Sequence, residues 1–341
     1  MSSASVEGLD YGRLRVRRSG ATAKPHYMLG FSGLGSELLV GSFTNDIENY
    51  IKSILLRVLY RKVDGQYQPT ESLVPPQGTF ENKLFEFIED LTPLLPYNSP
   101  IPEKDFPGMF TGLKRKNYEK ALQQLNTFGF VDSMAHITMF LKGEKDIRSL
   151  KPERVPRAIS PAGFPYILKT GCYVKPIEDH IYSESITKLL GYRAVSKGLN
   201  LREVGQLFTD AYSNYMDPCS IDLDVEKLDA SICSEAMALV HHIIASCYCA
   251  SDYDSIIDLF SHQLHPIVSG RSSNGSFKYD IEGTLTSGQS NTALTAVLIV
   301  IGILYNPLKQ LNLRVVNCGD DFTLIGERSS IQKARQVVPL R

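Results

Sequence analysis

Two short apolar runs in the second half of the chain end on acidic residues, and two long helical stretches lie between them. The runs occupy residues 221–224 and 313–318, the second followed directly by Gly319-Asp320-Asp321, and the helical stretches occupy residues 234–249 and 291–304. A strand, two helices and a final strand–turn–strand are typical of an α+β fold. The pattern therefore predicts acidic side chains at one end of a small sheet.

Length and composition limit the kind of protein this can be. The chain has 341 residues, of which 43% are hydrophobic and 21% charged, enough for one large domain or two to three small ones. Such a composition excludes a disordered tail and a small disulfide-stabilised protein. The formal net charge is −1, so a nucleic-acid partner has to be bound by local basic patches. The six cysteines lack regular spacing, which favours reduced thiols.

The longest apolar run, residues 293–305, contains 13 residues. A membrane-spanning helix needs about 20 residues, so this run predicts a buried helix. Residues 1–10 lack the apolar core of a signal peptide. We therefore expect the chain to have no transmembrane segment of its own.

The first 200 residues are expected to mix helix and loop. Residues 1–24 predict a flexible basic arm, for which a solvated tail and an RNA contact both remain open. From Asn45 onward apolar residues recur at helical spacing, and Asn45 with Glu48 predicts a capping box. Further helices are predicted at residues 80–95, 116–125 and 182–192. The arginines of the arm are Arg13, Arg15, Arg17 and Arg18.

Asp224 and the aspartates of the Gly319-Asp320-Asp321 turn are candidate metal ligands. The turn alone is ordinary turn chemistry, but Asp224 ends a second predicted strand and Asp229 follows five residues later. Carboxylates packed together repel one another and take up protons unless a divalent cation neutralises them. Oxygen ligands suit Mg²⁺ or Mn²⁺, and two-metal phosphoryl transfer requires such a cluster. A surface acidic rim is the alternative.

Two further segments can approach a phosphate. Ser287-Gly288-Gln289-Ser290-Asn291-Thr292 opens a helix with a small, glycine-bearing loop, so its backbone can lie close to a phosphate or ribose; alternatively it is only a good helix N-terminus. Cations within residues 142–157 can neutralise a triphosphate, and a solvated charged face is the alternative. These cations are Lys142, Lys145, Arg148, Lys151, Arg154 and Arg157.

The ordered set Asp224-x4-Asp229, Ser287-Gly288-x3-Thr292 and Gly319-Asp320-Asp321 resembles motifs A, B and C of viral RNA-dependent RNA polymerases. Four upstream blocks are similar to the tombusvirus-like, carmovirus-type members of that family. The blocks are Gly112-Leu-Lys-Arg-Lys-Asn-Tyr118, Phe140-Leu-Lys-Gly-Glu-Lys145, Pro156-Arg-Ala-Ile-Ser-Pro161 and Tyr173-Val-Lys-Pro-Ile-Glu178. The resemblance extends over about residues 25–330 in family order, which makes it far more specific than any single motif.

The resemblance implies a right-hand polymerase that replicates a positive-strand RNA virus genome with two Mg²⁺ or Mn²⁺ ions. Residues 25–200 would be helical and loop-rich fingers with the basic nucleotide-binding motif. Residues 201–341 would be an antiparallel-sheet palm with motifs A, B and C and a fingers excursion near residues 250–282. Because the sequence ends 20 residues after Asp321, the thumb is expected to be missing.

The resemblance also implies a role for each matching position. Asp224 and Asp320 would be metal ligands supported by Asp321. Asp229 would bind the ribose 2′-hydroxyl of the incoming nucleotide, the group that distinguishes RNA from DNA, and Arg157 would clamp the triphosphate. Ser287, Gly288 and Thr292 would line the template and ribose side. The expected nucleotide- or RNA-binding residues are Arg157, Lys151, Lys145, Asp229, Ser287, Gly288, Asn291 and Thr292.

The chain departs from the family pattern at several positions. Ala296 stands where the family usually has an asparagine that helps select the ribose, and Ala162 and Pro165 stand where it has arginines. The family continues after motif C into a motif D whose lysine is a candidate general acid, and Lys333 is not assigned that role.

The implied partners are RNA template and product, nucleoside triphosphates and a viral replication accessory protein. The implied location is the host cytoplasm, at membrane-associated replication complexes. A reverse transcriptase shares the palm, but Gly319 and the upstream blocks argue against it. A non-catalytic RNA-binding replication subunit, or an inactive polymerase fragment, remains the alternative.

A zinc module is not supported. One residue separates Cys247 from Cys249 and two separate His262 from His265, and both spacings miss those of a zinc finger. The two cysteines are instead expected in the core.

Overall fold

The computed structural model describes residue 6 and residues 8–21, 29–31, 38–144, 146–147 and 154–337. Its strands are β1 (Arg15–Arg18), β2 (Leu29–Phe31), β3 (Leu38–Gly41), β4 (Tyr60–Val63), β5 (Gln66–Pro69), β6 (Ile137–Thr138), β7 (Phe140–Leu141), β8 (Asp146–Ile147), β9 (Ala158–Ile159), β10 (Pro218–Asp224), β11 (Ile267–Ser272), β12 (Gly275–Asp280), β13 (Arg314–Asn317) and β14 (Asp321–Glu327). Its α-helices are α1 (Ile47–Ile54), α2 (Thr79–Leu91), α3 (Gly112–Phe128), α4 (Phe164–His180), α5 (Ile186–Leu190), α6 (Leu201–Tyr212), α7 (Leu228–Ser231), α8 (Ser234–Ala245), α9 (Ala250–Ser261), α10 (Thr292–Leu311) and α11 (Arg328–Val337).

The sheet that carries the acidic residues is three-stranded and antiparallel, in the order β10-β14-β13. Strands β13 and β14 form the predicted hairpin. β14 also pairs with the whole of β10, from Pro218 opposite Glu327 to Asp224 opposite Asp321. A second sheet has the order β1-β12-β11-β6, in which β6 runs parallel to β11. The α+β prediction is therefore confirmed.

The largest core cluster lies between the three-stranded sheet and the helices α2, α8 and α10. Helix α10 has 20 residues, because it continues through Pro307 beyond the predicted 291–304 stretch. By length and composition this helix could cross a membrane, but 67% of its most apolar window is buried inside the protein. That burial is typical of a core helix, as the sequence predicts. The predicted helix at 234–249 is shorter, since α8 ends at Ala245.

The basic arm is partly ordered. Strand β1 pairs antiparallel with β12 with Arg15 opposite Lys278, and the guanidinium of Arg18 lies 2.9 Å from the Glu48 carboxylate. The prediction of a flexible arm is therefore wrong for residues 15–18. The signal was the alternation of Leu14 and Val16 with the arginines, since both pack against a core cluster and alternation with period two indicates a strand.

Helix α1 begins one residue later than predicted. Asp46 is the N-cap, and its carboxylate accepts the backbone N–H of Glu48 at 2.8 Å. The predicted capping box of Asn45 with Glu48 is wrong because Asp46, with an extended backbone (φ −106°), occupies the cap position.

Helix α4 has no counterpart among the predicted helices. Pro165 lies in its first turn, where the missing N–H is tolerated, and Pro176 lies inside it. A π-helical turn, Ile181–Ser185, joins α4 to α5. The helix predicted at residues 182–192 is thus the end of one longer helical segment.

Candidate active site

Asp224 and Asp321 lie opposite each other at the end of the three-stranded sheet. Asp320 precedes Asp321 in the turn between β13 and β14, and its backbone carbonyl accepts the N–H of Val225 at 3.2 Å. This bond ties the end of β10 to the turn. The three aspartates predicted as metal ligands are therefore neighbours.

The turn is shaped by the buried side chain of Asn317. Its Oδ1 accepts the N–H of Gly319 at 3.0 Å, and its Nδ2 donates to the Gly319 carbonyl at 2.9 Å. Gly319 has a φ of +100°, a conformation that other residues rarely adopt. The spacing Asn-x-Gly is a local turn signal that the sequence analysis did not use.

Asp224 and Asp229 both have a raised pKa. Burial is the main cause of the raised pKa of Asp224, and the charges of Asp321 and Asp320 add to it. Asp229 keeps exposed surface. Burial of its carboxyl group, with a smaller contribution from Asp320, raises its pKa to about 6. Excess negative charge of this kind is what a bound cation relieves.

Arg157 is a cation whose charge reaches these carboxylates. Its positive charge lowers the pKa of both Asp224 and Asp229, in opposition to the burial. The Arg157 side chain is 51% exposed and lies 3.6 Å from the Glu144 carboxylate. Arg157, predicted to bind triphosphate, is thus accessible and close enough to act on the carboxylates electrostatically. Lys145 and Lys151, predicted for the same role, lie outside the described residues.

The backbone that precedes Arg157 is held by Arg57. The Arg57 guanidinium donates to the carbonyls of Pro156 and Val155, both at 3.0 Å. Burial lowers the pKa of Arg57, and the nearby charge of Arg157 lowers it further. Several cations therefore crowd around one carboxylate, Glu144, and this arrangement suits a polyanionic ligand.

The Ser287-Gly288 loop packs directly on the basic segment. The N–H of Ser160 donates to the Ser287 carbonyl at 3.2 Å. Gly288 has a φ of +104°, and a Cβ there would lie 3.0 Å from Pro161 Cα. The glycine thus allows a close approach of two backbones, so the two predicted phosphate-binding segments form one surface.

Thr292 closes the loop at the start of α10. Its hydroxyl oxygen accepts the N–H of Gln289 at 3.2 Å and lies 3.3 Å from the Thr286 carbonyl, to which it can donate. Its hydroxyl is therefore engaged in loop structure, and its predicted contact with the ribose side stays a prediction.

A model of the family described as "Viral RNA dependent RNA polymerase" matches residues 14–340 of the chain. The chain belongs to this family. The resemblance inferred from the motifs is thereby confirmed, and the Asp224, Ser287-Gly288 and Gly319-Asp320-Asp321 segments lie within the matched region.

Individual viral polymerases match over most of the chain. The RNA-directed RNA polymerase of Oat chlorotic stunt virus (isolate United Kingdom) is 29% identical over 329 residues, 94% of this chain and 44% of that protein. Those of Tobacco necrosis virus (strain D) and Turnip crinkle virus are both 28% identical, covering 94% and 89% of this chain and 44% and 38% of those proteins. The chain thus spans less than half the length of these relatives.

Asn291 does not belong to the exposed surface of the candidate site. It is fully buried, its amide exchanges two hydrogen bonds of 3.0 Å with Gln263, and its Nδ2 donates to the Thr295 hydroxyl at 3.2 Å. The predicted contact of Asn291 with nucleotide or RNA is wrong in this structure. A buried amide needs hydrogen-bond partners inside the protein, and Gln263 and Thr295 are those partners.

Two cations of this region, Arg57 and Lys227, were not among the predicted site residues. Lys227 lies between Asp224 and Asp229, has a φ of +52°, and has its pKa lowered mainly by burial. Its position inside motif A was the available signal. No local sequence signal indicated the role of Arg57, since the segment that its guanidinium binds lies about 100 residues away in sequence.

The donor set fits Mg²⁺ or Mn²⁺ only in part. Among the described residues, no group of three or more histidine, cysteine, aspartate or glutamate side chains is arranged to hold a metal ion. Mg²⁺, however, is commonly bound by one or two carboxylates together with substrate phosphates. Asp224 and its neighbours in the turn meet that smaller requirement.

The cysteines considered for zinc do not gather around a site. Cys247 is buried, and its thiol donates to the Ile243 carbonyl at 3.4 Å. Cys249 is only partly buried and contacts Asp252. The core prediction therefore holds for Cys247 and is wrong for Cys249, which lies at the N-cap of α9.

Proposed function

We propose that this chain catalyses RNA-templated RNA synthesis for a positive-strand RNA virus. The 3′-hydroxyl oxygen of the growing RNA loses its proton and forms a bond to the α-phosphorus of a nucleoside triphosphate. The bond from that phosphorus to the β-phosphate oxygen breaks, and pyrophosphate leaves. The observation that carries the proposal is the register of Asp224 with Asp321 beside Asp320, with the charge of Arg157 reaching Asp224.

Asp224 and Asp320, supported by Asp321, would hold two divalent ions, Mg²⁺ or Mn²⁺. When bound, these ions would lower the pKa of the 3′-hydroxyl and stabilise charge on the triphosphate. The elevated pKa of Asp224 supports this assignment, because close carboxylates are most readily ionised when a cation neutralises them.

Arg157 would bind the triphosphate, since an exposed guanidinium forms paired hydrogen bonds with phosphate oxygens. Asp229 would accept a hydrogen bond from the ribose 2′-hydroxyl. Ser287 and Gly288 would face template and ribose, which agrees with their packing on the segment that carries Arg157.

The division into fingers (25–200, with an excursion near 250–282) and palm (201–341) is part of the proposal. The pairing of β12 with β1 supports the excursion, because it joins residues 275–280 to the N-terminal part of the chain. A viral accessory protein as partner, and a location at membrane-associated replication complexes in the host cytoplasm, are proposed from family membership alone.

The test is poly(C)-templated incorporation of labelled GTP with Mg²⁺ or Mn²⁺, comparing the chain with Asp320→Asn. Asp217→Asn is a matched control, because Asp217 is an exposed carboxylate that pairs with Arg328. We expect incorporation to be lost in Asp320→Asn and retained in the control. RNA binding without incorporation by the unaltered chain would instead favour a non-catalytic RNA-binding replication subunit or an inactive fragment.

A further inference from the structure

The side chain of Lys197 rests against the turn that carries Asp320. A Cβ atom placed on Gly319 would lie 3.6 Å from the Lys197 Nζ, 3.7 Å from its Cε and 3.9 Å from the Ala296 methyl carbon. The end of the lysine side chain therefore lies against the glycine of the turn, which directly precedes the candidate metal ligand Asp320.

Backbone hydrogen bonds to β13 hold the segment that precedes Lys197. The segment before it runs beside β13: the N–H of Asn317 donates to the Ala194 carbonyl at 2.8 Å, and the N–H of Ser196 donates to the Asn317 carbonyl at 2.9 Å. The Arg193 guanidinium donates to the Lys197 carbonyl at 3.2 Å. The backbone of Lys197 is thus fixed relative to the same Asn317 that shapes the turn.

Lys197 forms no ion pair within the described part of the chain. No carboxylate of the described residues lies within 4.0 Å of its ammonium. By contrast, Lys169, Lys175 and Lys188 each pair with a glutamate, at 2.7, 2.8 and 3.2 Å. A fixed, partly buried cation without an internal partner is suited to an external anion.

Lys197 and the carboxylates on which Arg157 acts belong to opposite edges of the sheet. Arg157 acts on Asp224 and Asp229, which belong to β10 and the residues after it. The segment of Lys197 lies beyond β13, at the other edge of the sheet order β10-β14-β13. A nucleotidyl transfer at this turn brings two polyanions together, the triphosphate and the RNA strand that attacks it.

We propose that Lys197 binds the 3′-terminal phosphodiester of the RNA strand being extended, an inference that rests on the proposed polymerase function. With Arg157 assigned to the triphosphate, Lys197 is a separate cation that lies against the turn from the β13 edge of the sheet. It acts as a positioning residue, which holds the strand end so that its 3′-hydroxyl lies at Asp224 and Asp320.

The first measurement is binding of a fluorescein-labelled RNA hairpin with a recessed 3′ end, followed by fluorescence anisotropy at several salt concentrations. We expect Lys197→Met to weaken binding about tenfold and to reduce the slope of log Kd against log salt by about one phosphate contact, 0.7 to 0.9. Lys197→Arg should retain most of the affinity. Lys188→Met, which removes an exposed lysine already paired with Glu184, should behave like the unaltered chain.

A second measurement locates the contact. A methylphosphonate at the 3′-terminal linkage of the hairpin removes the phosphate charge, and the same change in the hairpin loop is its control. The terminal change should weaken binding to the unaltered chain and have no further effect on Lys197→Met. Equal losses for both proteins, or no binding of the hairpin by the unaltered chain, would show that the assignment is wrong.

Steady-state incorporation separates this inference from the proposed function. Lys197→Met should raise the KM for the hairpin and leave the KM for GTP unchanged; the reverse result would assign the lysine to the triphosphate and overturn the proposal. If the unaltered chain shows the Lys197-dependent phosphate contact but incorporates no nucleotide, the inference stands and the catalytic proposal fails. If Lys197→Met incorporates and binds normally, the inference fails and the function stands.

Discussion

The backbone N–H of Ser160 donates to the backbone carbonyl of Ser287 at 3.2 Å. This bond joins the basic segment that carries Arg157 to the loop at the start of α10, and Gly288 packs on Pro161 beside it. A displacement of either segment therefore displaces the other, and the cation expected to bind the triphosphate is positioned by the loop expected to face the template.

Gly288→Ala should disturb this junction. The new methyl group would lie 3.0 Å from Pro161 Cα at a φ of +104°, so the loop and the Arg157 segment have to separate. Misplacing catalytic groups by about 1 Å can lower turnover about 100-fold, and we expect a fall in GTP incorporation of about 10- to 100-fold. Gly191→Ala is the control: Gly191 also has a positive φ (+77°) but has no atom within 4 Å of the added Cβ. It should lower the free energy of unfolding by about 1 to 2 kcal/mol and leave incorporation intact in the folded fraction.

Arg57→Met should loosen the backbone before Arg157, because the carbonyls of Pro156 and Val155 lose their guanidinium donors. We expect the KM for GTP to rise about tenfold, with little change in the affinity for RNA. Steady-state kinetics with GTP varied, and anisotropy with labelled RNA, measure the two effects. Arg115→Met removes an exposed arginine paired with Glu119 on α3 and should change neither. An unchanged KM in Arg57→Met would separate Arg57 from triphosphate binding.

Asp229 should make the stability of the chain depend on pH. Its pKa is raised from 3.8 to about 6 in the folded chain, so between these values the folded state binds more protons than the unfolded state. The free energy of unfolding contributed by Asp229 therefore falls as pH rises through this window. Urea unfolding from about pH 4 to pH 7 should show a smaller decline for Asp229→Asn than for the unaltered chain. Parallel curves for the two proteins would contradict the raised pKa.

Asn291→Ala should destabilise the fold without altering the choice of sugar. The substitution removes the Asn291 oxygen that accepts from the buried Nε2 of Gln263, and an unsatisfied buried polar group costs about 1 to 3 kcal/mol. Urea unfolding should show this loss, while the ratio of GTP to dGTP incorporation stays unchanged. A changed ratio with unchanged stability would restore Asn291 to the nucleotide site.

The hairpin that carries Gly319-Asp320-Asp321 and the helix that follows the Ser287-Gly288 loop could be predicted because their signals lie within a few neighbouring residues. Turn residues between apolar runs and apolar residues at helical spacing act locally. Strand β1 was predictable in the same way from Leu14 and Val16, although its clustered arginines indicated a solvated arm. The capping box predicted at Asn45 was wrong by one residue, because the neighbouring Asp46 is the N-cap. The core position predicted for Cys249 was wrong because this residue lies at the N-cap of α9.

The sequence by itself determined the α+β class, the family and the carboxylates of the candidate site. Only the tertiary structure decided that Asp224 pairs with Asp321, that the charge of Arg157 reaches Asp224, that the amide of Asn291 turns inward to Gln263, and that the end of Lys197 lies against Gly319. These relationships join segments distant in the chain. They depend on which apolar faces are buried together and on which buried polar groups find partners, and neither is encoded in a local pattern of residues.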